Sequence, residues 1–327
     1  MKILIIQPGY LGDTVFLGPL IRVLKSQLHE SVIGVCVSPR GEAVARLLPG
    51  CDSVFVFDKR SADRGLRGIF RIGKVLRHFD PEIALTVNYS WRSGLLACLS
   101  GATRRIGYPP WSTSRLKLNR SQTFVERALE CARSLDLDVS QAADQNLKLE
   151  PVKLDRVTGA LTNLRHPLIG IVPGAEQHTK RWGAEKYAEL VRQLTVTGAT
   201  PILLGGPNEM ELCRRVIVLA TVSAVDTTGN SVEEALAVLS QCDLVVGGDT
   251  GLLHSARALG KPTVMVFGPT DPNRHRFEAG SVVVKTDLAC QPCHRSGQKV
   301  CPLGHHHCMT ELSPQSVLDQ CRTLISW

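Results

Sequence analysis

Short apolar runs alternate with amphipathic stretches along most of this chain. Residues 2–7 (KILIIQ) are almost continuously apolar, as a strand buried on both faces would be. A turn over 8–12 follows, and residues 13–28 place Val15, Leu20, Val23 and Leu24 at helical spacing. Further strands are predicted at 32–37, 54–57 and 83–87, with a helix over 42–48. The second half repeats the scheme, with strands at 168–172, 201–204, 244–246 and 263–267. Each is followed by a turn pair: Pro173-Gly174, Gly205-Gly206, Gly247-Gly248 and Gly268-Pro269. Helices are predicted over 184–197, from Asn208 and after Thr250. Strands alternating with helices imply parallel βαβ units with right-handed crossovers. Each half is therefore predicted to be an α/β, Rossmann-like, doubly wound sheet, with the join near 150–167, between Pro151 and Pro167. In such sheets ligands bind beyond the carboxyl ends of the strands, where the glycines and polar residues of this chain fall. Two such domains with facing strand ends predict a cleft in which two ligands meet.

Composition narrows the class. The 327 residues are 43% hydrophobic and 21% charged, which fits two globular domains and excludes a mostly disordered chain. No apolar run approaches the about 18 residues of a membrane span. The apolar opening is interrupted by Gln7 and Asp13, unlike a signal peptide. A soluble, non-secreted protein is expected, in a compartment where disulfides are rare. Of the 11 cysteines, several (Cys36, Cys98, Cys242) sit in apolar stretches and read as small buried hydrophobes.

Charge is uneven. Residues 1–150 hold 21 Lys/Arg against 14 Asp/Glu, whereas 151–327 hold 17 against 16. Arg60, Arg64, Arg67, Arg71 and Lys74 recur every three or four residues and are predicted to share one face of a helix, with Ile69, Ile72, Leu76 and Phe79 on another. Like charges at this spacing repel, so the stripe calls for an anionic partner: phosphates, an anionic membrane surface or nucleic acid. Aromatics are only 5% and none of the tyrosines or tryptophans interleaves with the stripe, which disfavours stacking on single-stranded nucleic acid.

Four segments carry candidate chemistry. Gly9-Tyr10-Leu11-Gly12-Asp13 ends the first strand, and glycines at a helix mouth allow close approach of an anion. Asp13 reads either as a helix cap or as a carboxylate able to take a proton from a hydroxyl, and capping would weaken it as a base. In 173–182 (PGAEQHTKRW), a glycine turn and Lys180 can cradle a diphosphate. In 247–254 (GGDTGLLH), Thr250 and the amides after it suit phosphate oxygens, while His254 alone reads as structural. The turns 260–263 and 267–272 flank the last predicted strand.

In their order, these segments resemble glycosyltransferase family 9, the ADP-heptose:lipopolysaccharide heptosyltransferases. The resemblance rests on KILIIQPGYLGD, on Trp91-Arg92-Ser93 with Arg104-Arg105-Ile106-Gly107, on PGAE…KRW, on SVEEALAVLSQCDLVVGGDTGLLHSARALGKPTVMVFGPTDP and on the C-terminal helix. It implies a GT-B fold: an acceptor-binding domain over 1–155, an ADP-sugar-binding domain over 156–312, and a helix over 313–327 crossing back. It implies inverting heptose transfer from ADP-heptose to the lipid A–core acceptor, without a catalytic metal or other cofactor. By the same resemblance Asp13 is the general base. Gly174, Thr179, Lys180, Glu209, Asp249, Thr250, Gly251 and His254 bind the donor. Gly12, Arg60, Arg64, Arg67 and Arg92 are acceptor-side candidates. The expected location is the cytoplasmic face of the inner membrane, in peripheral contact with its anionic surface and not with nucleic acid. Rival readings are a family member with another sugar or acceptor, a GT-B-like nucleotide-sugar epimerase and a nucleic-acid-binding protein.

The segment Cys290-x2-Cys293-x7-Cys301-x6-Cys308 encloses His305-His306-His307. Its CxxC has metal-ligand spacing, and four thiolates can close a zinc site. The remaining spacing matches no common zinc module, and free thiols in a loop are the reading adopted from sequence.

Overall fold

The computed structural model describes residues 1–119, 121–140, 142, 154–275, 277, 280–294 and 299–326. Pro151, one flank of the expected join, lies outside these. The chain divides into two compact units, 1–150 with 274–276, and 151–273 with 277–327.

The first unit is built on six parallel strands: β1 (Lys2–Gln7), β2 (Val32–Val37), β3 (Ser53–Val56), β4 (Ile83–Thr86), β5 (Arg104–Gly107) and β6 (Ser114–Arg115). They lie in the order β3-β2-β1-β4-β5-β6, the doubly wound arrangement the alternation predicts. β1 is central, with Ile3 opposite Ile33 on one side and Ile83 on the other. Alternation assigns its side chains to two layers. Leu4 and Ile6 pack with Ile69, Ile72, Leu76 and Leu96 of helices Gly65–Phe79 and Trp91–Leu99. Ile3 and Ile5, equally buried, serve the opposite face. Helices Gly18–Gln27 and Phe124–Arg133 pack on each other as a separate layer.

Two sequence expectations change here. The helix expected over 13–28 is two helices, Leu11–Val15 and Gly18–Gln27. Pro19 has no N–H to donate to the carbonyl four residues back, so the helix restarts around it. The basic stripe is also split. Its helix begins at Gly65, with Arg64 as an extended N-cap residue (φ −66°, ψ 133°). Arg60 sits in the turn before it, where the Asp58 carboxylate accepts from the amides of Arg60 (3.2 Å) and Ser61 (3.0 Å). Buried Asp63 holds that turn in place, accepting from the Asp58 amide at 2.9 Å and pairing with Arg71. Of the five basic residues, Arg67, Arg71 and Lys74 lie on the helix.

The second unit repeats the topology: β7 (Leu168–Val172), β8 (Thr200–Leu203), β9 (Val225–Asp226), β10 (Leu244–Gly248), β11 (Thr263–Phe267) and β12 (Ser281–Lys285), in the order β12-β11-β10-β7-β8-β9. Gly247 and Gly248, expected as a turn, continue β10. A Cβ on Gly247 would stand 2.7 Å from the Val172 carbonyl oxygen, so only glycine lets β10 and β7 meet there. Helix Ala184–Val196 packs on Met210–Ala220 and on the C-terminal helix Pro314–Leu324; Val232–Gln241 packs on Gly251–Ala258. The Trp182 indole N–H donates to the Leu312 carbonyl at 3.1 Å and anchors the loop after β7 to the C-terminal segment.

Candidate active site

In the first unit, β1 ends at Gln7 and the chain turns through Gly9 into the short helix Leu11–Val15. Asp13 is the third residue of that helix. Its Oδ2 accepts the Tyr10 amide at 2.8 Å, half of a capping box. A Cβ on Gly9 would lie 2.3 Å from that same oxygen, so the glycine is required for the carboxylate to take this position. Gly12 is buried in the same turn. Asp13 lines a concavity of about 280 Å³, open mouth included, with Gln7, Phe16, Leu17, Val87, Phe124, Arg127 and Ala128.

The cap and base roles of Asp13 can now be weighed. Burial pushes its pKa above the ordinary carboxylate value, and outweighs the Tyr10 amide, Arg127, Lys59 and His275, which pull it down. A capping carboxylate with a raised pKa is a better proton acceptor than an exposed one, which removes the objection the sequence raised. Sequence reasoning missed Arg127 and Lys59. Arg127 sits over Phe124 at 4.7 Å, and Lys59 donates to the Pro8 carbonyl at 2.6 Å. Burial, then Arg60 and Arg92, lower the Lys59 pKa, so these three cations share one neighbourhood beside Asp13. Arg60 lies over the Tyr10 ring at 5.9 Å and Arg92 over Trp91 at 4.7 Å. Arg64 and Arg67, at the start of the next helix, are exposed.

In the second unit, the loops after β7, β8 and β10 converge. Gly174 lies against Glu209, and a Cβ there would stand 2.4 Å from Glu209 Cγ. Glu209 ends the turn Pro207–Glu209, and its Oε2 accepts the Gly206 amide at 3.0 Å. Thr179 and Lys180 close the turn His178–Lys180. Lys180 Nζ, largely buried, donates to Asp249 Oδ2 at 2.7 Å. That oxygen also accepts from Thr270 Oγ1 at 2.9 Å, and Asp249 Oδ1 lies 3.2 Å from His254 Nε2. Arg257 NH1 is 3.2 Å from His254 Nδ1. A guanidinium only donates, so Nδ1 accepts and Nε2–H faces Asp249. His254 thus links Arg257 to Asp249 and orients the carboxylate. Thr270 and Arg257 were not singled out in the sequence; Thr270 meets Asp249 across 21 residues, whereas Arg257 is one helical turn from His254.

Thr250 is the N-cap residue of helix Gly251–Ala258, but its side chain makes no capping bond. Its Oγ1 is buried and without a hydrogen-bond partner among the described residues. A buried hydroxyl left unpaired is unfavourable, and here it stands at a helix N-terminus, where amides and dipole favour an anion. Gly251 opens that helix without a side chain in the way. The arrangement suits a phosphate, with Lys180 held nearby by Asp249.

Two 3-2-1-4-5-6 sheets in one chain, each with polar, glycine-lined loops at its carboxyl end, define a class: the proteins of GT-B architecture. The chain belongs to glycosyltransferase family 9 (heptosyltransferase), whose profile matches residues 69–305. It is 26% identical over 332 positions to the lipooligosaccharide heptosyltransferase 2 of Campylobacter jejuni serotype O:2, covering 99% of this chain and 98% of that one. The crystal structure of the glycosyl transferase family 9 from Veillonella parvula has the same fold, with a TM-score of 0.88 at 20% identity, over 99% of this chain and 96% of that one. So does the E. coli ADP-heptose lps heptosyltransferase II, with a TM-score of 0.79 at 22% identity, over 99% and 98%.

Proposed function

We propose that this chain transfers a heptose from ADP-heptose to the inner core of lipopolysaccharide, with inversion and without a catalytic metal. The observation that carries the donor half is the buried, unpartnered Thr250 hydroxyl at the mouth of helix Gly251–Ala258. In this reading Thr250 Oγ1 and the amides beyond it donate to the ADP diphosphate, and Lys180 neutralises the charge that develops as ADP leaves. Glu209 takes the ribose hydroxyls. Asp13 removes the proton from the acceptor hydroxyl as that oxygen attacks the anomeric carbon from the face opposite ADP. Lys59, Arg60, Arg92 and Arg127 receive the acceptor's negative charge.

The test is incubation with ADP-heptose and a panel of truncated lipid A–core acceptors, read by mass spectrometry. A gain of one heptose on one acceptor is expected; no gain on any, from a protein that binds ADP, overturns the choice of sugar and acceptor. Gly174→Ala should push Glu209 out of place. ADP binding by calorimetry should weaken about tenfold, the order of one hydrogen bond to a charged group.

None of the described helices is long and apolar enough to cross a membrane. We place the protein at the cytoplasmic membrane face by peripheral contact. On helix Gly65–Phe79, Leu66 is 58% and Phe70 52% exposed, amid Arg64, Arg67, Arg71 and Lys74. Exposed apolar side chains among cations match an anionic lipid surface. Co-sedimentation with anionic vesicles should weaken with salt, and about tenfold or more in a Leu66→Ser/Phe70→Ser variant. Equal binding to neutral vesicles would count against it.

A further inference from the structure

The two units share one topology, and it marks the same place in each. In both sheets the chain order reverses between the first strand and the fourth, where β1 pairs with β4 and β7 with β10. A crevice opens there beyond the carboxyl ends of the strands. In the second unit the helix after β10 carries Thr250 at its mouth. Its counterpart in the first unit is helix Trp91–Leu99, after β4.

The mouth of this helix adjoins Asp13 and is open. Asn88 ties the two strand ends together: its Nδ2 donates to Gln7 Oε1 at 2.6 Å, and Gln7 and Val87 line the same cavity as Asp13. Asn88 Oδ1 accepts the Ser90 amide at 2.9 Å, and the helix ladder starts with the Gly94 amide on the Ser90 carbonyl at 3.1 Å. The amides of Trp91, Arg92 and Ser93 are left over at the helix end. Ser90, the N-cap residue, makes no side-chain capping bond. Ser93 is fully buried, and its Oγ has no hydrogen-bond partner among the described residues. It shares a side of the helix with Leu96 and Ala97, which pack with Leu4 and Ile6 of the sheet. Ser93 is one turn nearer the N-terminus, and helical side chains lean that way, so its hydroxyl is carried toward the free amides at the strand ends. The donor helix has the same signature: an uncapped mouth with a buried, unpaired hydroxyl where the strand order reverses.

The flanks are cationic and aromatic. Arg92 lies over the Trp91 ring at 4.7 Å, and Tyr89, Trp91 and Trp111 are exposed. Trp111 rests on the first turn because residue 94 is glycine: a Cβ there would stand 3.0 Å from Trp111 Cε3. Flat aromatic faces suit the C–H face of a pyranose ring. The amides, the helix dipole and Arg92 suit an anion, and the three terminal oxygens of a phosphoryl group use this many donors better than the two of a carboxylate. We propose that the mouth of helix Trp91–Leu99 is a phosphate subsite, in which Ser93 Oγ, the first-turn amides and Arg92 hold a phosphoryl group on a sugar of the acceptor while the exposed aromatics take the sugar ring. Held there, the acceptor is oriented with its hydroxyl toward Asp13. Ser93 thereby determines specificity and moves no proton. The link to the acceptor rests on the functional reading above; the phosphate subsite stands without it.

The test is equilibrium dialysis of the full chain against labelled inorganic phosphate, after ADP binding has been measured and the donor site saturated with ADP. A phosphate site should remain. Ser93→Ala should weaken it about tenfold, the order of one hydrogen bond to a charged group, and Arg92→Gln by a similar factor. Ser93→Ala should melt at or above the wild-type temperature, because it removes a buried hydroxyl that has no partner until the anion binds. With an acceptor that takes heptose, the same variant should raise the acceptor KM about tenfold and leave the ADP-heptose KM in place. A merely structural serine would move neither. No phosphate held by the ADP-loaded chain, or equal binding by Ser93→Ala, overturns the subsite. Acetate competing as well as phosphate overturns the phosphoryl assignment. Weakened phosphate binding with an unchanged acceptor KM overturns the link to the acceptor. Transfer to no acceptor, from a chain that holds phosphate through Ser93, would instead sink the functional reading and leave the subsite standing.

Discussion

Replacing Asp13 with Asn should lower turnover by about 10²–10⁴-fold, the range for a lost general base, while leaving ADP affinity and the melting temperature in place. The Asn side-chain oxygen can still accept the Tyr10 amide that Asp13 Oδ2 accepts at 2.8 Å, so the helix start survives. What the variant lacks is a site for the proton. Stability should not fall at neutral pH, and the sign follows from the raised pKa. A carboxyl that holds its proton more tightly folded than unfolded adds stability below its unfolded pKa and loses it as pH rises through the folded one. At neutral pH the ionised Asp13 is therefore a strain on the fold, and an uncharged replacement relieves it. The same shift moves the acid limb of the wild-type kcat/KM profile above the ordinary aspartate value of 3.8, and D13N should lose that limb. Gly9→Ala should act in the same direction by displacing the carboxylate, with a smaller loss. A folded D13N enzyme with wild-type turnover would remove Asp13 from the chemistry.

How far the sequence reaches depends on whether a contact is local. β1, β2, β7 and β11 were legible because buried parallel strands are continuous apolar runs, and the loops at their ends were marked by glycine and proline. β6 and β9 are two-residue edge strands with no room for a pattern. β5 begins with two arginines, which masks it as a strand. The basic stripe had the right spacing but the wrong backbone, since Asp58 and Asp63 hold Arg60 in a turn before the helix. Asp13 and Lys180 were found from their loops. Their settings were not: Arg127 reaches Asp13 from the far end of the unit's sequence, and Asp249 meets Lys180 across 69 residues. The four cysteines were visible as spacing, but the bond between His306 and the Thr179 carbonyl, 127 residues away, is a property of the fold.

Lys180 and Asp249 should fail in different ways when removed singly. Lys180→Met takes away the cation nearest the proposed diphosphate but leaves Asp249 its bonds to Thr270 and His254. The variant should fold, bind ADP more weakly and lose about 10²–10³-fold in kcat, the scale of one transition-state charge stabiliser. Asp249→Ala is a different lesion. It strands the Lys180 ammonium, only 14% exposed, without its carboxylate and deprives His254 of an acceptor. Breaking a buried pair from one side typically destabilises by about 3–5 kcal/mol, so this variant should melt well below the wild type. The double variant should be more stable than Asp249→Ala alone, because no buried charge is then left unpaired, and a double-mutant cycle on unfolding free energy measures that coupling. If the pair were only a structural ion pair, Lys180→Met would lose stability and keep its affinity for ADP. Weaker ADP binding by a folded Lys180→Met enzyme is the outcome that assigns Lys180 to the donor: Asp249 then serves to hold an already desolvated ammonium where a leaving diphosphate needs it, so the enzyme does little reorganising as the bond breaks.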